Sequence, residues 1–597
     1  MKKIIHLSIA VAFFILLICS SHTSGCINQA SQSVNVKSFG AKGNGKTDDG
    51  DAINRALASG RSVFFPAGEY IIGKGALILK NKRNIRIYGE GNRTWIHPPA
   101  QLTPTQKTTY HSTLSIDNCE NITIENIRVE SKGENWGDAD AGAGVAYGNE
   151  RTNWVIQKGG HALVITRSIN VNVKKVTGRF CGSTGVFYTS SCDNITFINC
   201  FANAASLGYA GFCADNFVNA EINFLPKRRY SFLNCQVKAE PKAYPGKPFS
   251  SKAGIVAEGD DARLLNIYIK GGQINDCGAG GNLMTGGAAV VAENSNIQCE
   301  GLQAKDNYIG IKIVGRSEIK QAINSTITKC GFYDNKVCGV LVNCGFKKGG
   351  NIKIINSTFT INPNSIWGFT KDAVVSETSG IITQGYMSQK IFISGTSFTG
   401  GTRYLLACDK SQINIINSRF SGASKSSFEI YGGGDYDIKD SYIEMKTPAR
   451  LANQNLNKEY SGEYKYNFEN NKLVNFDQKR ELWELNNKAL PNIKNEISTR
   501  KNQISMATVS NTAKQFPSPG PNSIVISHAL QGENTSVVLR LTDRSIMRKA
   551  AKIKSGSETF ELLSIVPEWA DHKDQLKVFL KGDVRKYFMP QVKTLLY

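Results

Sequence analysis

At 597 residues, with 41% hydrophobic and 20% charged, the chain has the apolar content of a folded protein with room for more than one unit, which excludes a disordered chain. Gly is frequent (56) and Pro scarce (16), a balance that suits many short strands joined by tight turns better than a helical protein. The formal net charge of +22 is spread without a long basic run, which argues against a nucleic-acid partner and for a polyanionic one such as an acidic polysaccharide, with plain solubility as the alternative.

The chain opens with the features of an export signal. Lys2 and Lys3 precede an apolar run over 7–18, and a polar stretch over 20–25 follows. The run is too short for a stable membrane anchor, so residues 1–25 read as a signal peptide and the mature protein as secreted, periplasmic or on the cell surface. Thr23-Ser24-Gly25-Cys26 is similar to a lipoprotein cleavage box, although Thr23 stands where an aliphatic residue is usual, so a lipid anchor at Cys26 is a secondary expectation. No later segment reads as transmembrane.

Residues 34–49 run Val-Asn-Val-Lys-Ser-Phe-Gly-Ala-Lys-Gly-Asn-Gly-Lys-Thr-Asp-Asp. A helix is expected over 50–59, with Thr47 as its N-cap, Asp48 and Asp49 complementing its positive end, and Ala52, Ile53, Ala56 and Leu57 as its apolar face. The strand motif Val63-Phe64-Phe65-Pro66-Ala67-Gly68 comes next, then a strand over 85–88. The acidic loop 130–140 carries Trp136, whose ring could stack on a sugar, and its carboxylates make Ca²⁺ a secondary expectation. The ligand spacing is irregular, and no other metal is implied.

An irregular repeat then dominates. A small residue followed by an alternating strand recurs at Gly185, Gly211, Gly254, Ala289, Gly310, Gly339 and Ala373, with a period of about 20–45 residues that suits a solenoid with insertions in its turns. A constant-period propeller or a hairpin-rich sandwich fits less well. Cys200, Cys235, Cys277 and Cys330, four of 14 cysteines, sit in similar frames and read as one stack of buried thiols, with disulfides as the alternative. Past residue 446 the pattern fades. Residues 447–521 read as an irregular linker, helical in part over 483–500, and 522–597 as a small β-rich C-terminal domain.

The opening stretch over 34–95 closely resembles the pectate-lyase-like superfamily, which includes phage tailspikes, some polygalacturonases and related glycan-active proteins. The resemblance implies an all-β, right-handed parallel β-helix over 34–446, capped by the N-terminal helix, and a polysaccharide as substrate or ligand. It leaves open whether the chain hydrolyses, eliminates or only binds.

Within the repeat the first and third strand residues point inward and the second and fourth outward. The fourth positions read Asp215, Glu258, Glu293, Val314, Asn343 and Glu377. Three adjacent coils thus present carboxylates in one column, where like charges would repel unless one is protonated. Gly259 offers a turn into Asp260 and Asp261. Asp215, Glu258, Asp260, Asp261 and Glu293 are therefore the candidate acid–base set of a glycoside hydrolase, with a solvated acidic face as the alternative. Lys252, Arg263, Lys312 and Trp136 are candidates for substrate binding. Elimination would instead need a base and a cation, for which His161, Arg167, Lys252, Arg263 and Tyr209 are available. Polygalacturonases carry an Asp pair, then Gly-His-Gly, then an Arg-Ile-Lys strand. Here Asp260-Asp261, Gly278-Ala279-Gly280 and Gly310-Ile311-Lys312 follow in that order, without the His and with Gly310 in place of the Arg.

Overall fold

The computed structural model describes residues 33–99 except 74–75, 112–131, 161–181, 185–206, 210–215, 228–238, 253–259, 264–277, 288–315, 321–344, 349–361, 366–367, 374–375, 379–383, 389–407, 411–424, 427–430 and 434–449, and then the strands and one turn between Ala452 and Leu596. The signal segment and Cys26 lie outside the described residues.

Three long parallel sheets of 16, 16 and 14 strands wind around one apolar interior as a right-handed β-helix. One coil illustrates the circuit. Ala288–Glu293 lies in the third sheet, Ser295–Glu300 in the first and Gln303–Lys305 in the second, before Ile309–Val314 re-enters the third. Alternation sends every second side chain inward, and in-register pairing stacks like on like. Ile327, Ile354, Ile393, Ile415 and Ile438 form one inner column. Phe332, Phe359, Phe398 and Phe420 form another, with ring centroids 4.7, 4.5 and 4.7 Å apart.

The corners are as regular as the strands. Between the first and second sheets a left-handed residue makes the bend, for example Asn199, Asn234, Lys329, Asn356, Asn417, Asp440 and Asn470 at φ 49–57°. Asn and Asp tolerate that conformation better than other L-residues. A small buried residue follows each, and these bond coil to coil. Cys330 N donates to Ser357 Oγ, Ser357 N to Thr396 Oγ1, Thr396 N to Ser418 Oγ, Ser418 N to Ser441 Oγ and Ser441 N to Asn471 Oδ1, at 3.0–3.4 Å. Cys200, Cys235 and Cys330 belong to this ladder. Cys277 does not. It follows Gln273–Asn275 of the second sheet, where its N–H donates to Asn307 Oδ1 (3.0 Å) in a separate ladder of buried amides. A similar Asn-Asp-Cys context in sequence masked a different corner. Ten cysteines among the described residues are buried free thiols.

The helix Gly50–Ala58 buries Ala52, Ile53, Ala56 and Leu57 against the first coils. Its Asn54 side chain accepts from Ile78 N (2.9 Å) and donates to Ala76 O (3.1 Å), so the helix covers the end of the third sheet, whose first strand is Leu77–Lys80. Its N-cap is Asp49 rather than Thr47, which lies in the strand Asn44–Asp48. The Asp49 carboxylate turns back to accept from Lys42 N and Gly43 N, while Asp48 Oδ1 holds Gly50 N and Gly73 N. Both aspartates are structural.

Two elements differ from expectation further along. Val374–Val375 is not a coil strand, because it pairs antiparallel with Ile366–Trp367, and the coil instead resumes at Ser379–Thr383. The stack also runs on past residue 446, through Trp483–Leu485, Asn495–Arg500 and Gln503–Ser505. The corner ladder persists there at Ser441 and Asn471, while polar outward residues such as Asn467 and Glu469 dilute the alternation that a sequence reader follows. Strands, not helix, occupy the described parts of 483–500. Between Asn522 and Leu596 a separate seven-stranded antiparallel sheet forms.

Candidate functional site

The outward face of the third sheet carries the site. Cα pairing sets Ser190 beside Asp215, Asp215 beside Glu258, Glu258 beside Glu293, and then Val314 and Asn343. Neighbouring carboxylates thus start from backbones one strand spacing, ~4.8 Å, apart. A parallel column holds Tyr188, Cys213, Val256, Val291, Lys312 and Leu341. Ala210, Ala253 and Ala288 stack alongside, leaving a flat floor of small side chains.

This face is enclosed, contrary to the open acidic groove expected from sequence. Asp215 is 1% and Glu293 7% exposed, Glu258 is half-buried, and the Ala and Val residues of the floor are buried. An ionised group costs several kcal/mol to bury unless it is compensated, so three carboxylates here need partners.

A phenol and an amine stand among their neighbours. Tyr188 donates its hydroxyl to Asp215 Oδ2. Burial and then the Asp215 charge push that hydroxyl well above the ordinary tyrosine range, so it stays a donor. The Tyr188 ring stacks on His161 with centroids 4.9 Å apart and planes 25° from parallel. His161 Nδ1 donates to Gly185 O (2.6 Å), and burial lowers its pKa to about 4, so the ring is neutral at pH 7. At the other end stands Lys312, fully buried, its Nζ without a hydrogen-bond partner among the described residues. Burial lowers its pKa to about 7, and the charges of Glu293 and Glu258 oppose that fall. The face therefore reads, along the solenoid, as a neutral imidazole, a phenol, three carboxylates and an ammonium poised near neutrality.

Of the residues singled out by sequence, Asp215, Glu258, Glu293, Lys312 and His161 come together. Lys312 is a buried member of the cluster rather than a surface cation. Asp260, Asp261, Lys252, Arg263, Trp136, Tyr209 and Glu377 lie outside the described residues. Arg167 is bound bidentate by Asp117, with Nε 2.8 Å from Oδ1, at a corner of the chain. Glu130 is held by Arg128 (Nε–Oε1 2.8 Å), and among the described residues no group of three His, Cys, Asp or Glu could hold a metal ion. Gly259 is not in the left-handed region. It is required because a Cβ there would lie 2.0 Å from Asn294 O, a close approach of two coils. Tyr188 escaped the sequence reading, although it occupies the same strand position as Lys312, because a phenol among apolar neighbours looks like core.

Comparison with known proteins gives local and fold-level likenesses. Residues 33–103 match the family model "Rhamnogalacturonase A/epimerase, pectate lyase-like". Alginate lyase 7 of Azotobacter vinelandii is 48% identical over 68 residues, 10% of this chain and 8% of that protein. The pre-neck appendage protein of Bacillus phage B103 is 44% identical over 48 residues, 8% of this chain and 6% of its own length. The chain thus spans well under two thirds of the curated relatives it matches. A solved surface adhesin of Streptococcus pneumoniae shares 15% identity over 68% of this chain and 92% of its own, with a TM-score of 0.47. Among the described residues no helix is long and apolar enough to cross a membrane. The opening coils, residues 33–103, are thus similar to the pectate-lyase-like family, and the three-sheet parallel coil continues from them.

Proposed function

We propose that the chain is an exported glycoside hydrolase acting on a polysaccharide, with its acid–base pair drawn from Asp215, Glu258 and Glu293. The observation that carries this reading is the in-register column of three carboxylates on one enclosed face. Glycoside hydrolysis needs one protonated and one ionised carboxyl, and close-packed carboxylates separate into those states because both cannot ionise freely. Glu258, the half-buried member, is the one placed to meet the sugar. Adjacent coils approach the separation of a retaining pair, and coils two apart that of an inverting pair. The relatives' names, an alginate lyase and a rhamnogalacturonase-type family, support a glycan substrate. The net charge of +22 supports an acidic one.

Lys312 supports a second reading. A buried amine near neutrality can abstract the proton beside a uronate carboxyl, giving elimination rather than hydrolysis. Incubating the full chain with alginate, polygalacturonate, hyaluronan, xylan and galactomannan distinguishes the two. Reducing ends without unsaturated products indicate hydrolysis, and both together indicate elimination. Neither, with retention on the polymer, indicates a binding protein and overturns the enzymatic reading. Export is tested by the N-terminus of the mature chain, expected between residues 21 and 28.

A further inference from the structure

The outer face of the first sheet bears a second feature, a shallow groove of ≈ 580 Å³ running across five strands from Asn324 to Asp437. Its floor is set by register. One row runs Lys353, Phe392, Asn414 and Asp437, and the next runs Asn324, Asn351, Lys390, Gln412 and Asp435. All point outward, because Ile352, Ile354, Ile391, Ile393, Ile413 and Ile415 between them are buried in the core. The lining differs from that of the enclosed carboxylate face in three ways. It is exposed, apart from half-buried Phe392 and Asp437. Two lysines and two aspartates leave it without net charge. And it is rich in primary amides, of which Asn351 Nδ2 donates to Asn324 Oδ1 (2.8 Å), fixing that part of the row.

We infer that this groove is a glycan-binding surface separate from the carboxylate column, taking neutral, hydroxyl-rich sugar units along the stacked strands. An amide offers both a donor and an acceptor, as a sugar hydroxyl does, and successive strands repeat the offer every ~4.8 Å. Phe392 supplies an apolar ring face at the centre for the C–H side of a sugar. The absence of net charge removes the attraction that a polyuronate would need. The groove requires no chemistry of its own and would anchor the solenoid to a neutral polymer, distinct from the acidic one offered to the carboxylate face. The inference extends the glycan reading of the protein, but its test is independent of catalysis.

The test uses the full chain and native affinity electrophoresis in gels containing xylan, galactomannan, alginate or polygalacturonate. The wild-type chain should be retarded by at least one neutral polymer. Phe392→Ala should weaken that retardation at least ~10-fold, the loss expected on removing a central aromatic anchor. Phe392→Tyr should restore it, and both variants should keep the wild-type melting temperature. Glu258→Gln should leave retardation unchanged. Wild-type retardation by Phe392→Ala, or no retardation by either neutral polymer, overturns the groove. Loss of turnover in Glu258→Gln with no effect of Phe392→Ala would sustain the enzyme and refute the groove. Phe392-dependent retardation without turnover on any polymer would do the reverse.

Discussion

The first and third sheets are built by the same coils, share the same interior and present opposite kinds of outer face. On the first sheet outward positions are exposed amides and charges, as at Asn351, Lys353, Gln412 and Asn414. On the third, over the coils from His161 to Leu341, most are buried, and the polar groups among them include His161, Tyr188, Asp215, Glu293 and Lys312, with Glu258 half-buried. The scaffold does not demand this difference, since inward side chains and corner residues set the register of both. A titratable group on the exposed face costs little, whereas one on the enclosed face must be offset by specific partners. The enclosed cluster is therefore the more informative about function, and the exposed rows about attachment.

The largest expected effect lies in the enclosed column. Glu258→Gln and Glu293→Gln should each lower turnover at least ~10²-fold on whichever polymer is cleaved, the low end of what a positioned acid or base contributes. The melting temperature should change little in Glu258→Gln, because that side chain is half-buried. Wild-type turnover in both variants would reduce the column to a structural feature and erase the contrast between the faces.

Lys312→Met separates function from stability. It should remove activity and, below pH 7, raise the melting temperature, because a thioether of similar length removes the cost of burying the ammonium, which at a folded pKa of about 7 exceeds what the charges of Glu293 and Glu258 return. The pH dependence follows from linkage. The folded pKa of about 7 lies below the ordinary 10.5, so the unfolded chain holds the extra proton between those values. The penalty is complete below pH 7 and is relieved as pH rises towards 10.5, giving stability a positive slope across that window. Denaturation midpoints of the wild type and Lys312→Met should converge over the same window. Parallel curves would place the Lys312 ammonium in contact with water.

Tyr188→Phe should cost about 1–3 kcal/mol, because it leaves the buried Asp215 carboxylate short of a donor. It should also lower turnover if Asp215 belongs to the working pair. An unchanged denaturation midpoint would show that Asp215 has other partners sufficient to hold it.

Legibility from sequence follows the same division. The inward alternation at Phe212, Ala214, Ile255 and Ala257 was plain, because burial of one strand face leaves a period-two trace. That trace was enough to place Asp215, Glu258 and Glu293 on neighbouring strands. The coils beyond residue 446 were not legible, since their regularity resides in corner residues such as Ser441 and Asn471 rather than in apolar content. Nor was the enclosure of the third sheet, which no local pattern encodes. Cys277 and Val374 misled for one reason. A short motif repeats by composition at positions that three-dimensional register separates.

The smallest effect is expected at the corners between the first and second sheets. Asn417 bends the chain between the first and second sheets at φ 50°, three residues after Asn414 of the exposed groove. The preceding coils use Gly395 (φ 57°) and Asn356 (φ 49°) at the equivalent corner. Asn417→Ala forces a Cβ-bearing residue with no compensating polar group into the left-handed region, at a cost of about 1–2 kcal/mol. Asn417→Gly relieves that strain and adds unfolded-state freedom instead, a cost of about 0.5–1 kcal/mol. Denaturation midpoints should thus fall in the order wild type, Asn417→Gly, Asn417→Ala. Turnover and polymer retardation should be unchanged in both, because the Ser418 hydroxyl still accepts from Thr396 N of the preceding coil, Ser418 N still donates to Ser441 Oγ of the next, and register is kept on either side. A loss of retardation in Asn417→Gly would mean that the corners do more than set spacing, and that the two outer faces are not the independent surfaces that a common scaffold allows.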